Sequence, residues 1–235
     1  MFEMRSALSG HIRVIDDGRE RRLMAAGDTL SVYPLDGDWS PVRREYWWRA
    51  LAAVDLPPRP TALLVGLGGG TQLHLLQQRR SPCAITVIER DPAILHVATA
   101  WFGLRALGPL EFLCEDADRV VPWLARARRR FDFVMEDAAY AEAPARALPL
   151  ALALVPLVAR RGVLVVNRHR RADAGRLAAA LRPLFRDVRL RRVRREAENV
   201  LVCCAGPRQA VGSRLYRSRW GRSASAPTRL RRSAS

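Results

Sequence analysis

Leu63-Leu64-Val65-Gly66-Leu67-Gly68-Gly69-Gly70-Thr71 is the stretch that decides the fold. An apolar run enters a cluster of glycines and leaves into residues of helical composition. Glycine tolerates the positive φ of a tight turn and lets a ligand come close to the backbone. The helix that follows, expected over residues 71–79, offers N–H groups to an anionic group. Gly66, Gly68, Gly69 and Gly70 are therefore candidate cofactor-binding residues. The same turn can also be a bare connection, so its neighbours decide its meaning.

Downstream, strand and helix patterns alternate, which argues for a parallel sheet. Residues 62–65 form the first strand and 84–88 the second, ending in Glu89. Asp91-Pro92 opens a helix, a capping acid followed by proline at the first helical position. A third strand, 110–114, ends in Glu115-Asp116, and a helix runs through Val120, Val121 and Leu124. A fourth strand, 131–135, ends in Glu136-Asp137. A helix over 149–159, a stop at Gly162, a strand at 163–166, a helix over 172–181 and strands at 188–193 and 200–204 complete the pattern. The expected class is α/β, a Rossmann-like, mostly parallel seven-stranded sheet flanked by helices.

Upstream, residues 11–34 read as short strands around the turn signal Asp16-Asp17-Gly18, a small β-hairpin region. Ser40-Pro41 reads as the cap of a helix over 42–54, with Tyr46, Trp47, Leu51 and Val54 at helical spacing. Leu56-Pro57-Pro58-Arg59-Pro60 is a stiff linker. Three regions follow: 1–56, strands and a helix; 57–205, the Rossmann-like domain that carries the glycine loop; 206–235, an Arg/Ser-rich tail expected to be disordered.

The 235 residues carry a net charge of +17, and every basic residue is arginine. The complete lack of lysine looks like a codon bias, not selection for a nucleic-acid surface, and no nucleic-acid recognition motif is present. The tail holds eight arginines and no acid, so the remainder keeps +9. No apolar run reaches the roughly 18–20 residues that a membrane span needs, and the N-terminus lacks the apolar segment of a signal peptide. No membrane association and a cytoplasmic location are expected. Cys83, Cys114, Cys203 and Cys204 form no CxxC and are expected as buried free thiols. The histidines show no ligand spacing, so no metal is expected.

Chemistry concentrates at strand ends. Glu89, after the second strand, is placed to accept both hydroxyls of a ribose. Three successive strands end in acids, so a strongly basic protein gathers carboxylates along one crevice of its sheet. Such a crevice suits a cationic ligand, a sulfonium or a polyamine; the alternative is that the acids only cap the following helices. Asp91 is expected to cap.

The glycine loop, Val87-Ile88-Glu89-Arg90-Asp91-Pro92, Glu115-Asp116-Ala117 and Phe131-Asp132-Phe133-Val134-Met135-Glu136-Asp137, in that order and spacing, resemble the spermidine synthase (polyamine aminopropyltransferase) family, on the class I S-adenosylmethionine-dependent methyltransferase fold. The similarity spans about residues 11–205. The resemblance implies that the glycine loop holds the tail of the nucleoside donor, that Glu89 takes its ribose and that Glu115-Asp116 lie at its adenine. It implies that Asp137 is catalytic, orienting the attacking amine and accepting its proton. The implied reaction is aminopropyl transfer from decarboxylated S-adenosylmethionine to a putrescine-like amine, with a homodimer compatible.

The chain departs from the family where the amine binds. Asp137 is followed by Ala138-Ala139-Tyr140, where a further acid is expected; Leu30-Ser31 replaces a glutamine-serine pair and Tyr46-Trp47 a tyrosine-histidine pair. Tyr46 and Tyr140 are candidate substrate-binding residues, each equally readable as packing, and Trp47 reads as an anchor. Methyl transfer from S-adenosylmethionine, a non-catalytic nucleoside or polyamine binder, and, less well matched in glycine spacing, a nicotinamide dehydrogenase are the competing readings.

Overall fold

The structure is a computed structural model describing residues 1–138, 144–194, 198–208 and 229–230. Two sheets organise it. The first is a four-stranded antiparallel meander of β1 (Phe2–Ser6), β2 (Gly10–Asp17), β3 (Glu20–Ala25) and β4 (Asp28–Pro34). The turn at Gly18, φ +61°, joins β2 to β3 where Asp16-Asp17-Gly18 predicts a hairpin. β1 is an addition to the expected set, and its signal is the alternation of Phe2 and Met4 with Glu3 and Arg5.

The second sheet holds β5 (Thr61–Val65), β6 (Ala84–Glu89), β7 (Leu110–Cys114), β8 (Phe131–Glu136), β9 (Val158–Arg168), β10 (Phe185–Arg194) and β11 (Glu198–Pro207). Its order is β10-β11-β9-β8-β5-β6-β7, and a two-residue β12 (Arg229–Leu230) lies antiparallel beside β7. The strands β5 to β9 pair in parallel, and β11 runs antiparallel between β9 and β10. The expected seven-stranded, mostly parallel sheet is therefore present. In the tail expected to lack structure, β11 runs on to Pro207 and β12 is a second described element.

Both faces of the sheet are covered, which explains strands that read as continuous apolar runs. Leu63, Val65, Val134, Leu164 and Val166 pack against α4 (Ala117–Arg126), α5 (Pro144–Leu154) and α6 (Arg171–Leu181). Ala62, Leu64, Phe133, Met135 and Val165 pack with α1 (Tyr46–Ala52), α2 (Thr71–Arg80) and part of α3 (Pro92–Trp101). The meander buries Ile12, Val14, Leu23 and Ala25 against Ile94, Val97 and Phe102 of the α3 region.

Three expectations need correction. The helix expected over 42–54 breaks at Glu45, whose extended backbone (φ −83°, ψ 165°) separates a short 3-10 turn, Pro41–Arg44, from α1; Ser40 makes no capping hydrogen bond. The helix expected over 149–159 starts at Pro144 and yields to β9 at Val158, because Val158 pairs with Phe131 before the strand bulges through Gly162. A Cβ on Gly162 would stand 2.7 Å from the Phe131 carbonyl oxygen. Cys83 is exposed, in the connection before β6, whereas Cys203 and Cys204 are buried in β11. Among the described residues, no helix is long and apolar enough to cross a membrane.

Candidate functional site

The strand order reverses between β6 and β8, on either side of β5, and the carboxyl ends of these strands open into one crevice. A cavity of about 900 Å³ lies there, within the range of small-molecule sites. It runs from Glu89, Ile94 and Asp116 past Gly66 and Asp137 to Tyr46, Trp47 and Asn199.

Gly66, φ +93°, turns the chain out of β5; a Cβ there would stand 3.0 Å from the Ala138 nitrogen. Gly68, φ +53°, passes so close to the meander that a Cβ would meet Ser31 Oγ at 2.7 Å and Leu30 O at 2.8 Å. Both glycines line the cavity. Gly69 and Gly70 do not: a Cβ at Gly69 would strike Phe102, and one at Gly70 would strike Leu104, so these two serve packing. The Gly69 N–H, expected to be open to a ligand, donates to Ser31 Oγ at 2.7 Å. Thr71 Oγ1 donates to Val32 O and accepts from Val32 N, which seats β4 on the loop.

The Glu89 carboxylate spans the turn, accepting from Leu67 N (3.0 Å) through one oxygen and from Asp91 N (2.9 Å) through the other. Burial raises its pKa against these two hydrogen bonds. Of the Glu115-Asp116 pair, only Asp116 lines the cavity. It also caps α4 by accepting from Asp118 N, while Glu115 turns to Arg119. Asp91 caps α3 as expected.

Asp137 follows β8, its N–H bonded to Val65 O, so its position is fixed by the sheet. Tyr46 donates to Asp137 Oδ2 at 2.6 Å and Asn167 Nδ2 donates to Oδ1 at 2.8 Å. Asn167 Nδ2 also donates to Asn199 Oδ1 at 2.9 Å. Burial raises the Asp137 pKa from 3.8 to about 6, more than the two hydrogen bonds lower it. Its chain neighbour Glu136 points to the other face and forms a fully buried ion pair with Arg168 at 2.7 Å. The strand-end acids thus do not all share the crevice: Glu136 and Glu115 leave it.

Tyr46 therefore reaches the candidate catalytic carboxylate, and Trp47 is a core residue whose edge borders the cavity. Tyr140 lies outside the described residues. Sequence reasoning assigned no role to Gln72, Asn167 or Asn199; the signal available was an asparagine inside or at the end of an apolar strand run. Among the described residues, the lining carries seven carboxylates (Glu20, Asp28, Glu45, Glu89, Asp116, Asp118, Asp137) against two arginines, Arg22 and Arg90. A cation is favoured in such a cavity.

No protein-family model matches the chain. The eEF1A lysine and N-terminal methyltransferase of Danio rerio is 31% identical over 157 residues, 61% of this chain and 23% of that protein. The Homo sapiens protein of the same name is 29% identical over 170 residues, 66% of this chain and 24% of that protein. The chain thus spans about a quarter of the length of the curated relatives it matches. Among solved structures, human methyltransferase-like protein 13 in complex with SAH superposes with a TM-score of 0.58 at 24% identity, covering 73% of this chain and 85% of that one. A probable spermidine synthase from Corynebacterium glutamicum gives a TM-score of 0.67 at 15% identity, covering 87% and 79%. Spermidine synthase from Thermotoga maritima gives 0.65 at 12%, covering 88% and 72%. The fold is that of the class I S-adenosylmethionine-dependent methyltransferases. The expected likeness to spermidine synthases holds for the fold, while the sequence relatives are methyltransferases.

Proposed function

We propose that this chain is an S-adenosylmethionine-dependent methyltransferase whose acceptor is an amine of a protein. The observation that carries the reading is Asp137, a carboxylate held by Tyr46 and Asn167 at the switch point of the sheet, in an acidic cavity shared with Glu89. The named activity of the sequence relatives supports methyl over aminopropyl transfer.

The cavity fits the donor: Gly66 and Gly68 of the loop border it, Glu89 is fixed for a ribose, and the excess of carboxylates suits a sulfonium. S-adenosylmethionine, when bound, supplies a methyl carbon activated by that sulfonium. The residues of the chain do the rest. Glu89, positioned by the Leu67 and Asp91 amides, orients the sugar. Asp137 orients the acceptor nitrogen and takes its proton, because an ammonium has no lone pair with which to attack. Tyr46 and Asn167 hold that carboxylate in one rotamer and set its proton affinity. No metal is called for.

A second reading, aminopropyl transfer from decarboxylated S-adenosylmethionine to a putrescine-like diamine, draws support from the meander. The spermidine synthase superpositions cover 87–88% of the chain, the methyltransferase superposition 73%. Against it stand Ala138 after Asp137, and Leu30-Ser31 and Tyr46-Trp47 at the acceptor side. Calorimetric titration with both donors separates the two. S-adenosylmethionine is expected to bind more tightly and to label a protein or peptide amine. Preferential binding of the decarboxylated donor, with methylthioadenosine released on adding putrescine, would reverse the assignment. Donor binding without any transfer would leave a binding protein.

A further inference from the structure

Gln72 lies in the first turn of α2, lines the cavity and is 7% exposed. Among the described residues, neither its Oε1 nor its Nε2 has a hydrogen-bond partner. A buried amide left open at both ends keeps the full cost of its desolvation, and proteins keep such groups where something completes them. Asn167, 1% exposed and lining the same cavity, repeats the pattern in part. Its Nδ2 is committed to Asp137 and Asn199, and its Oδ1 has no partner.

The two vacant sets ask for different chemistry. Asn167 Oδ1, beside Asp137, asks for an N–H, which any amine supplies. Gln72 asks for a donor and an acceptor side by side, which the N–H and C=O of one residue in an extended peptide supply and a protonated diamine, a donor only, does not. Gln72 is also near the element that reaches Asp137: α2 packs on α1, the helix that presents Tyr46 to that carboxylate, and Gln72 and Tyr46 line one cavity.

We propose that Gln72 determines acceptor specificity by pairing, through Nε2–H and Oε1 together, with the C=O and N–H of one residue in an extended stretch of the acceptor's backbone, thereby selecting a polypeptide amine over a free polyamine. The inference rests on the reading of this cavity as a donor–acceptor site. A site built to hydrogen-bond its substrate rejects analogues that leave its polar groups unpaired.

The test is equilibrium binding by the full chain saturated with S-adenosylhomocysteine. The probes are a hexapeptide with a free α-amine and one lysine, and putrescine. The wild-type protein is expected to bind the peptide more tightly than putrescine. Gln72→Leu is expected to lose about tenfold or more in peptide affinity, as one good hydrogen-bonded pair predicts. Its putrescine and nucleoside affinities should not change. Its melting temperature should equal or exceed that of the wild type, because leucine leaves no buried polar group open. Gln72→Met provides a second apolar replacement. Equal peptide affinity in variant and wild type, no peptide binding by the wild type, or a loss confined to the nucleoside would each overturn the proposal. Binding is read instead of turnover, so a lack of methyl transfer would count against the proposed function alone.

Discussion

At Asp137, burial outweighs two hydrogen bonds, and the carboxyl ionises near pH 6 instead of near 4. Turnover is therefore expected to rise with pH through about 6, and Asp137→Asn to lose turnover while keeping donor affinity; a wild-type rate in that variant would remove Asp137 from the mechanism. Stability moves the opposite way. A raised pKa favours the protonated form in the fold, so the contribution is whole below the unfolded value and is lost as pH rises through about 6. Melting temperatures of the wild type should show that loss, and those of Asp137→Asn should show less of it, the remainder coming from Glu89, whose pKa burial also raises. The Tyr46 hydroxyl lowers the Asp137 pKa, so Tyr46→Phe should move the pH–rate midpoint upward by about one unit. A merely structural Tyr46 would change rate or stability with the midpoint fixed.

At the scale of elements, the site depends on how β8 and β9 are tied together. Glu136 is 0% exposed and Arg168 2%, so their ion pair has no water to fall back on. Arg168→Met leaves the Glu136 charge buried without its arginine and is expected to cost about 3–5 kcal/mol in urea unfolding. Adding Glu136→Leu should recover much of that loss, since apolar pairs replace buried ion pairs well. A loss under 1 kcal/mol in the single variant, well below that expected range of about 3–5 kcal/mol, would mean that Glu136 stays solvated. The meander makes the second connection: β4 meets the glycine loop through Ser31 on Gly69 and Val32 on Thr71. The loop that borders the cavity is thereby fixed by a sheet some forty residues upstream.

Across the whole molecule, charge is sorted. A chain of net +17 places seven acids and two arginines around one cavity, which sets a cationic ligand apart from the basic exterior. The segment 209–235 contributes seven arginines, and only Arg229–Leu230 of it is described, beside β7. Deleting 209–235 should lower the salt needed to elute the protein from heparin, because fewer cations face the polyanion. Donor affinity should stay unchanged, since among the described residues none beyond Asn199 lines the cavity. A loss of donor binding in the truncated chain would give the tail a part in the site.

The sequence by itself determined the class of fold, because strands buried on both faces must be apolar throughout and the turn out of β5 must be glycine where φ is positive. It determined Glu89 and Asp137 as candidates, because strand-end acids in a parallel sheet fall along one edge. Only the tertiary structure decided which acids share the cavity. Successive residues on a strand point to opposite faces, and the last residue of a strand can turn either way, so Glu136 pairs with Arg168 while Asp137 meets Tyr46. Only the structure, too, separated the glycines that line the cavity from those that pack against Phe102 and Leu104, and brought Gln72, Asn167 and Asn199 to it from three distant segments. Such convergence leaves no periodic trace along a chain, because it depends on strand order and not on spacing.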